Sequence, residues 1–332
     1  MTDLVPHKHQ QQAALAQPAP LSENPAAVYL ASLGSDASRR TMRAALDTMA
    51  GLMTGGQADA LTMPWHLLRY QHTQALRSQL AARYAHSTAN KHLSALRRVL
   101  KEAWRLGLMD SDDYRQAADI ENVKGETVPA GRALTSGEIA ALLNDCANDT
   151  SPAGPRDAAI IGLLYGCGLR RAEIVALDLD DYDPDSGRLV VRGKRNKERT
   201  VYVRNGAAAA LADWLAIRGE SVEDTPALFL PTRKGGHIVT RQGSAPARLT
   251  TQAVYKLLQK RADRAGVPAF SPHDMRRTFI SDLLDRGADI VTVQKLAGHA
   301  SPNTTARYDR RPEEAKRRAQ ELLHVPYVKR LT

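Results

Sequence analysis

The segment Glu121–Arg132 (ENVKGETVPAGR) most constrains the fold, because it interrupts the hydrophobic periodicity of the chain well before its middle. It contains Gly and Pro and has neither a helical nor a strand period, which is typical of a linker. A chain of 332 residues is long enough for two domains, each with its own core. We therefore expect a flexible segment at 1–23, a helical domain at 24–120, a linker at 121–133, a second domain at 134–311, and a C-terminal helix and tail at 312–332.

The part before the linker has the period of amphipathic helices. In the clearest example, Thr88–Leu106, the apolar face carries Leu93, Leu96, Val99, Leu100 and Trp104. The opposite face is basic and carries Lys91, Arg98, Lys101 and Arg105. A second basic run follows Ser38 and contains Arg39, Arg40 and Arg43. These cations indicate either helices that lie against DNA or ordinary solvated helix faces, and the sequence leaves both readings open.

The part after the linker mixes helices with strands. Thr135 and Glu138 form a capping-box pattern before an apolar run. After a buried helix at Asp157–Gly166, three segments (LDLDDYD, GRLVVRG and ERTVYV) alternate with turn residues and predict a small antiparallel sheet. Helical patterns return at 251–266, 273–286, 290–296 and 312–323. The predicted fold class is mainly α with a small antiparallel β-sheet, arranged as a two-domain C-shaped clamp.

Two features argue against a metal site. Asp181, Asp183 and Asp185 alternate as in a calcium loop, but Arg192 stands where the loop needs a bidentate Glu. The stretch 183–187 instead predicts a hairpin turn. The two cysteines lie in apolar helical contexts and suggest neither a disulfide nor a metal site. We expect no cofactor.

Charge points to a polyanionic partner. The formal net charge is +10, and both sides of the linker are basic, with 14 Lys/Arg against 11 Asp/Glu over 1–125 and 32 against 25 over 126–332. Basic side chains that neutralise phosphates release counterions and so drive binding to nucleic acid. No apolar run approaches the roughly 18 residues of a membrane span. With no signal peptide pattern at the N-terminus, we expect a cytoplasmic, nucleoid-associated protein.

Four segments of the second domain carry the chemistry. They are Gly168–Glu173 (GLRRAE), Gly193–Arg199 (GKRNKER), Ser271–Arg276 (SPHDMR), and the pair Leu296–His299 (LAGH) and Thr304–Tyr308 (TTARY). Each pattern alone is weak, and Tyr308 is one of ten tyrosines. Their order and spacing resemble the active-site set of the tyrosine recombinase and phage integrase family. From Arg276 to His299 is 23 residues and from His299 to Tyr308 is nine, as in Xer-type members. The resemblance is strong from Thr135 to Asp309 and loose from Asn24 to Asp119.

The resemblance implies a metal-free DNA transesterification. Phosphoryl transfer leaves a protein mainly positioning and electrostatic work. Arginine forks suit the non-bridging phosphate oxygens, and a tyrosine needs a base or a positive environment because its ordinary pKa is near 10. The implied catalytic residues are two arginines that grip the phosphate (Arg170 and Arg276), a hydrogen-bond donor (His299), a base or proton relay (His273), an acid for the leaving oxygen (Lys194) and the nucleophile (Tyr308). Lys197 is the nearby decoy for the acid.

Three residues in these segments need a separate reading. Arg171 follows Arg170 where relatives carry a small or apolar residue, and we expect it to touch DNA phosphate. Arg277 follows Arg276 where relatives often have His. Glu173 occupies the acidic position of the family, and we favour a structural ion pair with the arginines for it.

The resemblance also implies partners. The amphipathic stretch Pro312–Leu323 would dock onto a neighbouring protomer, which closes a homotetramer on two DNA duplexes with a Holliday junction intermediate. Packing on its own domain is the other reading. The expected function is site-specific recombination by integration, excision or resolution, without a separate arm-site domain. The alternatives are strand relaxation as in type IB topoisomerases, and a protein that only binds DNA.

Overall fold

The computed structural model describes residues 23–125, 131–193, 197–219, 225–233, 236–306, 308, 317, 320–322 and 326. Within the chain two compact units separate, Met1–Val128 and Pro129–Thr332. Helices dominate both units and the strands are short and antiparallel, which confirms the predicted mainly α fold class with a small antiparallel sheet.

The first unit is a helical bundle. Its helices are α1 (Pro25–Ala31), α2 (Asp36–Thr54), α3 (Tyr70–Arg83), α4 (His86–Arg105) and α5 (Ser111–Ala118), with a 3₁₀ turn at Trp65–Leu67. Side chains of Asn24, Ser35 and Asp110 accept hydrogen bonds from the first-turn amides of α1, α2 and α5. Helix α4 packs against the other four, and its Leu93, Leu96, Val99 and Leu100 are fully buried. The apolar face predicted for this helix is thus the centre of the bundle.

Trp104 departs from that prediction. Its side chain is 38% exposed, although it shares the period of the buried leucines. The indole ring stacks on Tyr114 at 5.4 Å, and its Nε1 donates to Ser111 Oγ at 3.0 Å. An indole N–H needs a polar partner, and this partner lies on α5 at the rim of the bundle.

The second unit surrounds one buried helix. Its elements are α6 (Ser136–Ala147), α7 (Ala153–Gly166), α8 (Arg171–Ala176), β1 (Tyr182–Asp183), β2 (Arg188–Arg192), β3 (Glu198–Tyr202), α9 (Asn205–Arg218), β4 (Arg241–Gln242), β5 (Ala245–Pro246), α10 (Thr251–Arg264), α11 (Pro272–Asp285), α12 (Ile290–Ala297) and α13 (Pro302–Ala306). Helix α7 packs against α6, α8, α9 and α11. Thr135 and Glu138 form the expected capping box at the start of α6.

The sheet is smaller than the sequence predicts. Strands β1, β2 and β3 form an antiparallel sheet in that order, with Val191 opposite Arg199. The segment LDLDDYD contributes only Tyr182–Asp183, because Leu179–Asp181 forms a 3₁₀ turn. A carboxylate oxygen of Asp181 accepts a hydrogen bond from Asp178 N at 2.9 Å and closes that turn. Helix α9 and the hairpin β4–β5 were not expected from the sequence.

A buried ion cluster joins α10 to the start of the unit. The Arg261 side chain has no exposed area and contacts Asp145, Asp149 and Asp157 at 2.8–2.9 Å. Burial opposes ionisation of Asp149, but hydrogen bonds from Ser151 and Arg261 outweigh it and lower the pKa of Asp149 to about 2. The cluster fixes α10 against α6 and α7.

Candidate active site

The Gly168–Arg170 segment leads from the buried helix α7 into α8. Gly168 has φ +62°, and a Cβ there would lie 2.2 Å from the Phe279 ring, so only glycine fits without displacement. Arg170 is the residue before α8, and its backbone N donates to Glu173 Oε2 at 2.8 Å. Its Nη1 donates to Glu173 Oε1 at 2.8 Å and its Nη2 to Gly298 O at 3.1 Å. The side chain stays 43% exposed, so its remaining N–H groups can meet a ligand.

Helix α11 supplies the next two groups. It begins with a capping box between Ser271 and Asp274, and Pro272 stands in its first turn. His273 and Arg276 are three residues apart and therefore lie on one side of the helix. Arg276 is 2% exposed and donates to the carbonyls of Gly168 and Ala297. Burial, with the Arg170 charge, lowers the pKa of Arg276 to about 9, so it stays protonated at neutral pH.

Helix α12 ends where the Gly-His pair begins. Gly298 has φ +61° and terminates the helix, and His299 N bonds to Gln294 O at 3.1 Å. His299 Nδ1 lies 2.9 Å from the hydroxyl of Thr305, on α13. Burial first, and the charges of nearby arginines second, lower the pKa of His299 to about 4. His299 is therefore neutral at pH 7.

Tyr308 follows α13 and faces this group. Its hydroxyl lies 3.1 Å from His273 Nε2, and its ring stacks on His299 with centroids 6.1 Å apart. The Arg277 guanidinium lies 5.9 Å from the ring centroid, a cation–π distance. Ser281 Oγ donates to Tyr308 O at 3.2 Å and holds the backbone. Burial and the Arg276 charge lower the pKa of His273, which favours its neutral, proton-accepting form.

Five of the six candidate catalytic residues thus lie in one place. Arg170 and Arg276 donate to the carbonyls of Gly298 and Ala297, directly before His299. The ring of His299 stacks on Tyr308, and His273 contacts the tyrosine hydroxyl. Lys194 lies outside the described residues. Lys197 is exposed, and its carbonyl accepts from Gly193 N at 2.8 Å across the base of the β2–β3 hairpin.

Two residues at this site were not among those predicted from the sequence. Arg199 on β3 forms a bidentate ion pair with Glu173, at 2.9 and 2.8 Å, and is only 12% exposed. Thr305 is fully buried beside His299. Both lie within the motif segments, but nothing in a sequence shows which face of a strand or helix turns towards the site. Glu173 forms the ion pairs that the sequence analysis favoured.

Some of the residues predicted to contact DNA in the first unit are engaged in ion pairs or ring stacking, and others are exposed. Arg39 pairs with Asp36, Arg43 with Asp47 and Asp59, and Arg105 with Glu102. The guanidinium of Arg98 stacks on Tyr29 at 5.9 Å. Arg40 and Lys91 are exposed and Lys101 is partly buried. In the second unit, Arg171 lies 5.7 Å over the Tyr255 ring.

The described part of the chain holds neither a metal-site cluster nor a helix suited to a bilayer. No group of three or more His, Cys, Asp or Glu side chains there has the arrangement of a metal site. None of its helices is both long and apolar enough to cross a bilayer. The predicted C-terminal helix, Pro312–Leu323, falls outside the described residues except for 317 and 320–322.

Comparison with known proteins gives a family. The sequence model of the phage integrase family matches residues 132–314, more than half of the chain. The tyrosine recombinase XerD of Mycobacterium leprae is 36% identical over 232 residues, which cover 67% of this chain and 68% of the relative. The tyrosine recombinase XerC of Alcanivorax borkumensis is 32% identical over 250 residues, covering 74% and 76%.

Solved structures show the same fold at low identity. The XerH site-specific recombinase, solved bound to a palindromic difH substrate, has a TM-score of 0.59 at 19% identity and covers 86% of this chain and 76% of its own. The integrase of the Tn1549 transposon, solved with a circular intermediate DNA, has a TM-score of 0.61 at 15% identity and covers 91% and 100%. These relatives are recombinases and integrases, which does not favour the topoisomerase alternative. The chain belongs to the phage integrase family and is a tyrosine recombinase.

Proposed function

We propose that this chain carries out site-specific recombination by cutting DNA with Tyr308 and rejoining it without a cofactor. The observation that carries the proposal is the 3.1 Å contact between the Tyr308 hydroxyl and His273 Nε2, beside the buried guanidinium of Arg276. A neutral histidine at hydrogen-bond distance can take the phenolic proton as the oxygen attacks.

In the proposed step, the Tyr308 oxygen bonds to phosphorus and the bond from phosphorus to the 5′-oxygen breaks. The products are a 3′-phosphotyrosine and a free 5′-hydroxyl, and Lys194 would supply the proton for the latter. The phosphodiester bond to the 5′-oxygen is exchanged for one to the Tyr308 oxygen, so the enzyme needs no energy source to rejoin the strands. Attack by the 5′-hydroxyl of the other duplex would give a Holliday junction and then recombinants, by integration, excision or resolution.

The arginines and His299 would stabilise the charge on the five-coordinate phosphorus. Arg170 uses two of its five N–H groups on Glu173 Oε1 and Gly298 O, and further donors remain for a non-bridging oxygen. Arg276 likewise has donors beyond those that meet the two backbone carbonyls. Neutral His299 would donate through Nε2–H in the tautomer whose Nδ1 accepts from the Thr305 hydroxyl. Removal of one preorganised donor of this kind costs about 10²–10³-fold in rate.

DNA is the proposed partner throughout, and the assembly is a proposed homotetramer on two duplexes. In the first unit, Arg40, Lys91 and Lys101 on α2 and α4 would contact DNA phosphates directly. Four further arginines of that unit would contact phosphates by giving up their present ion pairs or ring stacking: Arg39, Arg43, Arg98 and Arg105. In the second unit, Arg171 would contact a phosphate. The C-terminal stretch from Pro312 would dock onto the next protomer. We propose that the DNA-binding domain spans 24–120 and the catalytic domain 134–311. We also propose that the protein acts in the nucleoid.

Covalent capture on DNA tests the proposal. An inverted repeat selected by the full chain from a randomised duplex pool is rebuilt as a suicide substrate, nicked so that the cleaved strand is lost. The parent should form an adduct that resists denaturation by SDS. Tyr308→Phe should form none while binding DNA within about twofold of the parent, because it lacks only the nucleophilic oxygen.

Tyr202→Phe is the matched control. It removes an equivalent hydroxyl from a side chain that is 54% exposed on β3, and it should leave adduct formation unchanged. An adduct that survives Tyr308→Phe would overturn the assignment of the nucleophile. A parent chain that binds DNA but never forms an adduct would overturn the proposed function.

A further inference from the structure

Three arginines converge on the end of helix α12. The carbonyls of Leu296, Ala297 and Gly298 are consecutive, and they accept hydrogen bonds from Arg199 Nε, Arg276 Nη2 and Arg170 Nη2, respectively. The last carbonyls of a helix have no partner within it and carry its partial negative charge, which favours cations. His299 follows directly, so these contacts fix the place from which its ring projects.

Arg199 differs from Arg170 in how far the protein engages it. All three of its guanidinium nitrogens donate inside the protein: Nε to Leu296 O at 2.8 Å, and Nη1 and Nη2 to the two oxygens of Glu173. Its side chain is 12% exposed, against 43% for Arg170. The protein thus uses three of the five N–H groups of Arg199 in a largely buried setting, whereas Arg170 is more open to a ligand.

Glu173 transmits the position of Arg199 to Arg170. Its Oε1 accepts from Nη1 of both arginines, at 2.8 and 2.9 Å. Its Oε2 accepts from Arg170 N and from Arg199 Nη2, both at 2.8 Å. Four hydrogen bonds fill the acceptor sites of this buried carboxylate, so rotation of Glu173 would also rotate Arg170.

Arg199 also lies against the turn before His299. A Cβ built on Gly298 would be 3.1 Å from Arg199 Cδ and Nη1, closer than ordinary van der Waals contact. The side chain of Arg199 thus fills the space that the left-handed glycine leaves open. One guanidinium touches both the segment that carries Arg170 and the segment that carries His299.

We propose that Arg199 is a positioning residue for the cleavage step. It acts through Glu173 on Arg170, and through Leu296 and Gly298 on His299, without touching the DNA phosphate. This inference rests on the proposed function. It follows that loss of the Arg199 fork slows the first-order cleavage step and leaves DNA affinity unchanged, because misplacement by about 1 Å can cost about 10²-fold in rate.

Arg199→Lys is the test, because it keeps the charge but replaces a three-nitrogen fork with a single ammonium. With the suicide duplex and saturating enzyme, adduct formation should slow about 10–100-fold, while the Kd for the uncleaved duplex changes by less than about twofold. Arg192→Lys is the matched control: Arg192 lies on the neighbouring strand β2, is 48% exposed and pairs with Asp181. That variant should cleave within about twofold of the parent.

A double variant separates positioning from general loss of structure. If Arg199 acts through Arg170, Arg170→Lys with Arg199→Lys should be slower than Arg170→Lys alone by much less than the 10–100-fold of the single change. Independent, multiplicative losses would overturn the inference for Arg170. Should Arg199→Lys fail to fold, Glu173→Gln breaks the same contact and must also slow cleavage.

The outcomes distinguish the two proposals. If the parent forms the adduct and both Arg199→Lys and Glu173→Gln match its rate, Arg199 has no positioning role and the proposed function stands. Weakened DNA binding with an unchanged first-order rate would also overturn the inference, because Arg199 would then serve binding. If the parent forms no adduct, the proposed function itself fails.

Discussion

Gly168→Ala probes how the catalytic arginines are placed, because it combines two separate costs at one backbone position. Gly168 has φ +62°, and alanine pays about 1–2 kcal/mol to adopt a left-handed conformation. The new methyl group would lie 2.2 Å from a carbon of the Phe279 ring, which is itself buried. The ring must therefore move by more than 1 Å to reach ordinary contact, and overpacking of this kind costs about 1–3 kcal/mol.

The two costs add to about 2–5 kcal/mol of unfolding free energy in the second unit. For a unit of this size, 1 kcal/mol corresponds to about 2–4 °C, so its Tm should fall by about 4–20 °C. Cleavage should suffer as well, because Gly168 O accepts from Arg276 and Gly168 is two residues before Arg170. We expect single-turnover adduct formation to slow at least about tenfold at a temperature where the variant is folded.

Gly266→Ala is the matched control for this change. Gly266 has φ +65°, and no heavy atom lies within 4 Å of a Cβ built there. Gly266→Ala should therefore lower the unfolding free energy only by the backbone cost, about 1–2 kcal/mol, and the variant should cleave DNA at the parent rate. Thermal unfolding followed by calorimetry measures both variants, and the suicide duplex measures cleavage.

Phe279→Leu supplies the decisive comparison. Removal of ring atoms opens space for the methyl group, so Gly168→Ala should cost less in the Phe279→Leu background than in the parent, by about 1–3 kcal/mol. If the two changes are additive within about 0.5 kcal/mol, the predicted contact with the ring does not carry the cost. If Gly168→Ala costs no more than Gly266→Ala, contact with the Phe279 ring adds nothing to the backbone cost.

Two further predictions concern His299. Thr305→Val should slow cleavage about tenfold, whereas Thr305→Ser, which keeps the hydroxyl, should cleave at about the parent rate. The reason is that a hydroxyl that donates to Nδ1 of His299 leaves the ring proton on Nε2. Equal cleavage rates for the two variants would contradict this. The pKa of His299 is lowered to about 4 by burial and neighbouring arginines, whereas the ordinary value is near 6.5, so the unfolded chain takes up the proton first as pH falls. The free energy of unfolding should therefore drop by about 3 kcal/mol from pH 6.5 to 4 through this group, and His299→Gln should remove that part of the drop in urea titrations. The same pH dependence in both proteins would contradict the shift.

Much of the fold was predictable because helices have local causes. Residues three or four apart in the sequence determine both the capping box of Thr135 and Glu138 and the apolar face of α4. The strand predicted across LDLDDYD was mostly wrong because alternation also fits a turn closed by Asp181. Trp104 kept the period of the core yet lies at its rim, since its indole N–H finds Ser111 on another helix.

The candidate site was predictable as a set of residues but not as a set of contacts. The order Arg170, His273, Arg276, His299 and Tyr308 resembled a known pattern, and the structure brings these five together. Arg199 was not predicted, because its role depends on β3 turning one side chain inward against Glu173, 26 residues away. Pairing across such a distance has no local signature.

The buried cluster around Arg261 constrains how this chain can change over time. The three carboxylates around the fully buried Arg261 guanidinium also have other partners, since Arg264 contacts Asp145 and Asp149, and Arg156 pairs with Asp157. Replacement of Arg261 alone removes the one cation that all three share and leaves three carboxylates with two arginines. Loss of one partner from a buried ion cluster costs up to about 3–5 kcal/mol, whereas simultaneous replacement by well-packed apolar side chains can be neutral. Arg261 and its three carboxylates should therefore persist or be exchanged together, as one inherited unit.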